Sequence, residues 1–195
     1  MKPVEELHHI SPSLAVWQAY DPAVKVDCTS TALAVPEGWL LIDPIPLADA
    51  CVAELAATRP LAGILLTSGN HQRASLELRA KHDLRIFAPA APDLVADEWI
   101  KPGTPFVSGV EIFSMEGAGP GEIALRAGSL MVFGDAVIHL GELALLPDKY
   151  CEDPKLLRRC LKQLTELDWD VACVAHGWPI VERASHRIGG LFLNK

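Results

Sequence analysis

Short apolar runs separated by polar turns recur along the chain, and amphipathic stretches lie between several of them. β-Branched and aromatic residues are typical of strands, so the first runs predict a β-meander over residues 14–20, 30–35 and 39–42. Helix and strand patterns then alternate, and they predict helices over 47–58 and 73–81 and strands over 61–66 and 84–87. Strands that alternate with helices pair in parallel through right-handed crossovers, so we expect a parallel region in mid-chain.

The second half of the chain predicts a similar mixture in a different order. Strand patterns cover 105–107, 110–115, 122–126, 129–133 and 171–175, and helical patterns cover 153–167 and 178–188. Asp153 followed by Pro154 is a favourable N-cap and first-turn pair for the first of these helices. Two β-rich halves that each carry helices predict an α/β protein, built as a four-layer αβ/βα sandwich in a single domain of residues 1–195. From the pattern alone, a conventional doubly wound sheet is the alternative.

Composition narrows the classes of partner and compartment. The net charge of −8 at pH 7 disfavours nucleic acid and anionic membranes as partners. The longest apolar runs are strand-sized, well short of the roughly 20 residues of a membrane-spanning helix. The N-terminus lacks the apolar segment of a signal peptide, and the five cysteines form no Cys-x-x-Cys pair. We therefore expect a cytoplasmic protein with reduced cysteines, whose high aliphatic content permits a homodimer.

Polar and small residues collect at the ends of three predicted strands. Residues 68–73, Gly134-Asp135 and His176-Gly177 each follow an apolar run directly. Side chains at the carboxyl ends of strands in one sheet system converge on the ligand crevice. We therefore expect these three segments to meet and to line a pocket, with Trp178 as a candidate wall.

The stretch LTSGNHQR resembles the signature loop of the metallo-β-lactamase superfamily, in which a strand ends in Thr-His-x-His-x-Asp-His and the side chains hold two metal ions. Laid on this chain, Thr67 is kept, but the first two histidines are replaced by Ser68 and Asn70. The aspartate is replaced by Gln72 and the last histidine by Arg73. The frame is present, whereas most of the metal-binding chemistry is missing.

Further motifs of that family follow in the same order. Its metal-bridging Gly-Asp turn matches FGDAV and places that role on Asp135. Its late His-Gly motif, which supplies a ligand of the second metal, matches VACVAHG and places that role on His176. Its structural aspartate matches Asp43 in LLIDP, whereas the histidine of its Gly-His-Thr-Pro-Gly-Ser motif is replaced by Ala118. The resemblance covers nearly the whole chain and implies the four-layer fold.

Of the seven ligand positions that the resemblance implies, only Asp135 and His176 survive. Two ligands do not hold zinc tightly, and Arg73 would repel a divalent ion, so we expect no metal cofactor. The guanidinium could neutralise the buried carboxylate in the metal's place, and we predict an Arg73–Asp135 salt bridge there. Asp135 and His176 are then the candidate catalytic residues. The pocket lining predicted around them consists of Ser68, Asn70, His71, Gln72, Arg73, Ala118 and Trp178.

His71 occupies a spacer position of the family motif and leaves two interpretations open. Together with Asp135 and His176 it would offer two imidazoles and one carboxylate, a shifted set that suits zinc or iron. Alternation along the loop would instead point His71 away from its neighbours Asn70 and Gln72. We expect the second arrangement, in which His71 hydrogen-bonds on the far side of the loop.

Three functions are compatible with these residues. The preferred one is a metal-free protein of this fold that binds a small molecule or a partner chain in the residual pocket. The alternative is a divergent hydrolase of an ester, a thioester or a similar bond, in which Asp135 and His176 act as an acid–base pair, with or without one zinc or iron ion. Arg73 could then orient an anionic substrate. A third function is assembly through exposed apolar surface.

Overall fold

The first half of the chain folds into a seven-stranded sheet in a computed structural model that describes residues 1–192. Its strands lie in chain order and are β1 (His8–Ser11), β2 (Leu14–Asp21), β3 (Val26–Val35), β4 (Gly38–Ile42), β5 (Leu61–Leu65), β6 (Ile86–Pro89) and β7 (Glu98–Ile100). Antiparallel pairs join β1 to β4, and parallel pairs join β4 to β7. The meander and the parallel region that the pattern predicts are therefore confirmed.

The second half forms a four-stranded sheet and a separate hairpin. The strands of the sheet are β8 (Glu111–Ser114), β9 (Ile123–Ala127), β10 (Leu130–Phe133) and β13 (Val171–Val174), and those of the hairpin are β11 (Val137–Leu140) and β12 (Glu142–Leu145). Within the sheet the order is β13–β10–β9–β8. Because β10 and β13 are parallel neighbours, the residues that follow them leave the sheet at the same edge.

Helices cover the outer face of each sheet. They are α1 (Asp49–Thr58) and α2 (Ser75–His82) on the first sheet, and α3 (Pro154–Thr165) and α4 (Ala184–Gly190) on the second. As predicted, Asp153 caps α3, since its carboxylate accepts the backbone N–H groups of Lys155 at 2.9 Å and Leu156 at 3.1 Å. Across residues 1–192, no helix is both long and apolar enough to cross a membrane.

Alternation along the strands divides the buried side chains among three cores. One face of the first sheet, with Trp17 and Leu41, packs against α1 and α2. Its other face, with Val16 and Leu40, packs against the second sheet. The far face of the second sheet, with Phe133, packs against α3 and α4. Successive side chains of a strand point to opposite faces, so each sheet serves two cores, and the layers follow the order helix, sheet, sheet, helix. The four-layer αβ/βα sandwich is therefore confirmed.

Two predicted elements are wrong. Residues 105–107 form no strand, since the proline in this segment has no N–H to give to a neighbouring strand. The last helix begins only at Ala184 and not at residue 178. The segment before it is extended, because Ile180 exchanges both backbone hydrogen bonds with Ala172 at 2.8 Å.

Candidate functional site

The loop between β5 and α2 turns back on itself directly after the strand. Thr67 is fully buried, and Asp43, which follows β4, accepts its backbone N–H at 2.8 Å and its hydroxyl at 2.5 Å. The loop then turns, and the His71 N–H donates to the carbonyl oxygen of Ser68 at 3.1 Å. Because β4 and β5 are parallel neighbours, Asp43 anchors this loop at the carboxyl edge of the first sheet.

The turn points the imidazole of His71 into the protein. Its Nδ1 lies 2.9 Å from Asp43 Oδ2 and its Nε2 lies 3.3 Å from Asp135 Oδ1, while only 3% of the side chain is exposed. The expectation that His71 hydrogen-bonds on the far side of the loop is therefore wrong. Side chains alternate along extended backbone, whereas residues 68–71 form a turn.

Asp135 and His176 leave the second sheet side by side. Each is the second residue after its strand, β10 for Asp135 and β13 for His176, and His176 Nε2 lies 3.0 Å from Asp135 Oδ1. His176 Nδ1 faces the backbone carbonyl oxygen of Asp27 at 3.0 Å. Two imidazoles thus face one carboxylate oxygen, and the ligand atoms of His71, Asp135 and His176 all lie within 4.8 Å of one another. We call these three residues the His–Asp–His cluster.

Close packing requires the two glycines beside the cluster, against backbone at Gly177 and against side chains at Gly134. Gly177 has a φ of +103°, and a Cβ there would lie 2.0 Å from the carbonyl oxygen of His139. A Cβ on Gly134 would lie 2.6 Å from Thr67 Oγ1 and 2.5 Å from Glu122 Oε1. The Gly-Asp and His-Gly pairs of the sequence therefore have a steric cause, since a larger residue would push the neighbouring loops apart.

Arg73 does not pair with Asp135. Its guanidinium donates to three backbone carbonyl oxygens, those of Thr29 at 2.9 Å, Asp43 at 3.0 Å and Ala175 at 3.3 Å. Within residues 1–192, the ion pairs of Asp135 are the two with histidine, so the predicted Arg73–Asp135 salt bridge is wrong. The planar guanidinium instead ties together β3, the end of β4 and the end of β13.

Hydrogen-bond partners and nearby charges fix the protonation of both imidazoles. Each nitrogen of His71 faces a carboxylate, so each carries a proton. Burial alone would lower the pKa of His71, but the charge of Asp43, helped by Asp135 and opposed by Arg73, raises it to about 10. Burial also opposes the charge of His176, but the hydrogen bond to Asp135 raises its pKa to about 9. Both side chains are therefore imidazolium ions at neutral pH.

The two carboxylates of the site shift in the opposite direction. Burial alone would raise the pKa of Asp43 and of Asp135, but the charge of His71 lowers both, and that of Asp135 falls well below its usual range. Three cations, His71, His176 and Arg73, therefore surround two ionised carboxylates. The network carries a surplus of one positive charge, and its charges stay buried because each has a partner.

Glu122 is a buried acid that no motif in the sequence marks as a site residue. Only 3% of it is exposed, and its Oε1 accepts the N–H of Ala136 at 3.1 Å. Its Oε2 has no hydrogen-bond partner within residues 1–192. Burial, followed by the nearby charge of Asp135, raises the pKa of Glu122 to about 8, so this side chain is neutral at pH 7. Its one sequence signal, an acidic residue directly before an apolar strand, is weak.

Ser68 and Asn70 lie beside the loop that carries Ala118 and Gly119. A Cβ on Gly119, the residue after Ala118, would lie 3.9 Å from Ser68 Oγ and 3.7 Å from Asn70 Nδ2. Ala118 itself is fully buried in the core under α3. These three predicted pocket residues offer only a hydroxyl, an amide and a methyl group.

The side chains of Gln72 and Trp178 contact residues outside the His–Asp–His cluster. The side chain of Gln72 accepts the backbone N–H of Val95 at 2.7 Å and so ties its loop to a neighbouring segment. Trp178 is 45% exposed and packs edge-on against His8 with ring centroids 4.9 Å apart.

Solvent reaches the cluster through Asp135 and His176. Their side chains are 16% and 15% exposed, compared with 3% for His71. A large apolar cavity, of about 660 Å³, lies elsewhere and is lined by residues such as Leu14 and Val110. The charged cluster is thus a shallow site at the sheet edge, separate from that cavity.

The sequence matches a known protein family. A family model described as the metallo-beta-lactamase superfamily matches residues 5–193. The chain belongs to the metallo-β-lactamase superfamily. No curated protein sequence is significantly similar to the chain.

Solved structures of metallo-β-lactamases share the fold at low sequence identity. One from Pontibacter korlensis has a TM-score of 0.76 at 14% identity and covers 97% of this chain and 99% of its own. One from Erythrobacter litoralis has a TM-score of 0.74 at 12% identity, covering 97% and 92%. FIM-1 from Pseudomonas aeruginosa, in a mono-zinc form, has a TM-score of 0.74 at 12% identity, covering 98% and 96%. Identities this low support the shared fold alone.

The two-metal centre of the superfamily does not fit the side chains present here. On its motif positions, the first metal would face Ser68, Asn70 and Ala118, none of which offers an imidazole or a carboxylate. Gln72 and Arg73, at two positions of the second metal, are bonded to backbone groups instead. Within residues 1–192, the group of at least three His, Cys, Asp or Glu side chains that converges is the His–Asp–His cluster.

Proposed function

We propose that this protein binds a small molecule above the His–Asp–His cluster without the two-metal centre of its superfamily, and that its resting form holds no metal. The observation that supports this function is the contact of Asp135 Oδ1 with two imidazolium groups, at 3.0 and 3.3 Å. The imidazolium groups of His71 and His176 thus neutralise the charge of Asp135, which a metal ion would otherwise neutralise. The floor of the pocket then needs no metal ion to compensate the buried charge of Asp135.

The charge of the network favours an anionic ligand. Its surplus positive charge is reached from solvent at His176, whose Nε2 is already charged. A carboxylate or phosphate group would be attracted to that positive charge. The other partner predictions remain proposals of ours: no nucleic acid, no membrane, a possible homodimer and a cytoplasmic location.

Elemental analysis and ligand screening test this function together. We expect protein purified without added metal to contain far less than one metal ion per chain. We also expect small carboxylates or phosphates to raise its melting temperature. His176→Gln should abolish that shift, whereas His186→Ala, at an exposed histidine of α4, should retain it. A tightly held ion in the purified protein, or no stabilising anion at all, would contradict the proposal.

A second candidate function is metal-free hydrolysis of an ester or a thioester. The observation that favours it is the partly exposed His176–Asp135 pair, with a pKa of about 9 for His176. A group protonated at neutral pH is suited to donate a proton. Its Nε2–H would protonate the leaving alkoxide or thiolate while water attacks the acyl carbon, and the proton that the water releases would restore the imidazolium. Turnover that survives a chelator and is lost in His176→Gln would support this candidate.

A further inference from the structure

The contacts in the His–Asp–His cluster have the spacing of metal ligands. In a tetrahedral zinc site with bonds of about 2.0–2.1 Å, neighbouring ligand atoms lie about 3.3–3.4 Å apart. The Nε2 atoms of His71 and His176 lie 3.3 and 3.0 Å from Asp135 Oδ1, and the pair of nitrogens also falls within 4.8 Å. Small side-chain shifts therefore suffice to admit an ion among the three atoms.

The surroundings of both imidazoles orient them as metal ligands. His71 Nδ1 is held by Asp43 Oδ2 at 2.9 Å, and Asp43 is itself held by the hydroxyl of Thr67. His176 Nδ1 is held by the carbonyl oxygen of Asp27 at 3.0 Å. A carboxylate or carbonyl on one ring nitrogen fixes the tautomer and leaves the other nitrogen for the metal. In both residues that free nitrogen is Nε2, which points at Asp135.

We propose that His71 Nε2, Asp135 Oδ1 and His176 Nε2 bind one divalent transition-metal ion, with water in an open position on the solvent side. Two imidazoles and one carboxylate suit zinc, iron or cobalt rather than magnesium or calcium. The exposed edges of Asp135 and His176 leave room for the water. His71 supplies this ligand from a spacer position, so the site is displaced from the superfamily's own metal positions.

The charge of Arg73 does not prevent this binding. Each Nε2 carries a proton in its ion pair with Asp135, and an ion that binds between these atoms replaces both protons. Two protons and one divalent ion carry the same charge, so the guanidinium opposes the ion no more than it opposes the protons. The inference goes beyond the proposed function, because the resting form needs no ion and the site fills only when free metal is supplied.

Metal titration of stripped protein tests the site. Protein treated with a chelator and dialysed should bind one Zn²⁺ per chain by calorimetry, with release of protons to the buffer. Co²⁺ should give visible absorption bands of a low-coordinate site with nitrogen and oxygen ligands, and Mg²⁺ should show no binding. Failure of both Zn²⁺ and Co²⁺ to bind, or a stoichiometry of two, would overturn the inference.

Matched variants test the ligand assignment. His71→Asn retains a donor toward Asp43 but removes Nε2. His176→Asn, at the more exposed histidine, retains a donor toward the carbonyl oxygen of Asp27 and likewise removes Nε2. Because loss of an outer-shell partner alone weakens metal binding 10- to 100-fold, each variant should weaken Zn²⁺ binding by about 100-fold or more. His186→Ala, at a surface histidine, should bind as the wild type does. Wild-type affinity in folded His176→Asn would overturn the assignment.

The same experiments separate the inference from the proposed function. Stripped protein that binds no Zn²⁺ but still binds an anion contradicts the metal site and leaves the proposed function intact. Protein that is purified with one tightly held ion, lost in His176→Asn, contradicts the metal-free resting form and supports the metal site.

Discussion

The two sides of the pocket differ in the charges that they bury. On the charged side, His71, His176 and Arg73 surround Asp43 and Asp135, and each charged group has a partner within hydrogen-bond reach. On the neutral side lie Ser68, Asn70, Ala118 and the protonated Glu122.

The comparison shows that neutral groups and charged groups at the motif positions of this fold place different demands on the residues around them. On the side without imidazoles, the neutral groups need no partner ion. Keeping Asp135 on the other side leaves a carboxylate that would be costly to bury alone, so it needs cations around it. His71 and His176 supply that charge, and the charged side therefore dominates both the stability and the chemistry of the site.

Removing His71 should have the largest effect. His71→Ala leaves Asp43 and Asp135 without their shared cation, and breaking a buried charged pair costs about 3–5 kcal/mol. On the neutral side, Ser68 is equally buried, but Ser68→Ala removes one weak hydrogen bond and should cost about 1 kcal/mol. Urea denaturation at pH 7 measures both free energies of unfolding. Equal losses in the two variants would remove the distinction between the sides.

Double-mutant cycles should locate the partners of Asp135. For His71→Ala with Asp135→Ala we expect a coupling energy of about 1–3 kcal/mol, because the side chains are in contact. For Arg73→Met with Asp135→Ala we expect about 0.5 kcal/mol or less, since the guanidinium bonds to backbone carbonyls. The reverse order of couplings would restore the Arg73–Asp135 salt bridge that the sequence predicts.

The sequence predicts the fold from the order of its apolar strands. It also predicts two residues of the site, because these residues lie just beyond the ends of such strands. Asp135 and His176 each lie two residues beyond an apolar strand, and parallel neighbours end at one edge of a sheet. The position of His71 depends instead on a turn over residues 68–71 and on a carboxylate 28 residues away in the chain. No periodicity encodes such a turn, so the alternation rule gives the wrong direction for this side chain.

Arg73 was predicted wrongly for a related reason. Its charge suggests a carboxylate partner, and Asp135 is a plausible one from the motif order. Its actual acceptors are carbonyl oxygens of three separate segments, which any residue type could present. Sequence patterns say much about side chains and little about where backbone carbonyl oxygens come together. The contacts of the Arg73 guanidinium with these oxygens are therefore seen only in the folded structure.

The pH dependence of stability should separate the buried acid of the neutral side from the histidines of the charged side. Between about pH 4.5 and pH 8, folded Glu122 keeps a proton that the unfolded chain has lost, so stability falls as pH rises, by at most about 1.4 kcal/mol per pH unit. The raised pKa values of His71 and His176 give stability that is full below about pH 6.5 and is lost as pH rises through about 9 and 10.

Unfolding measured in two pH windows distinguishes these groups. Between pH 5 and 6.5, Glu122→Gln should have a flatter stability profile than the wild type, because the variant has no proton to retain. Between pH 8 and 9.5, the variant should keep the wild-type decline, which belongs to the two imidazolium groups. An unchanged slope in the lower window would mean that Glu122 is ionised in the folded protein.

Returning one histidine to the neutral side should have the smallest effect. Asn70 is exposed, so Asn70→His should change the free energy of unfolding by no more than about 0.5 kcal/mol. The new imidazole would gain no second strong donor from the other two positions of that metal, because Ser68 and Ala118 offer only a hydroxyl and a methyl group. Calorimetry of the stripped variant should therefore give the same Zn²⁺ stoichiometry as the wild type. A second bound ion would show that the neutral side lacks only one ligand, and that the two sides differ far less than their charges suggest.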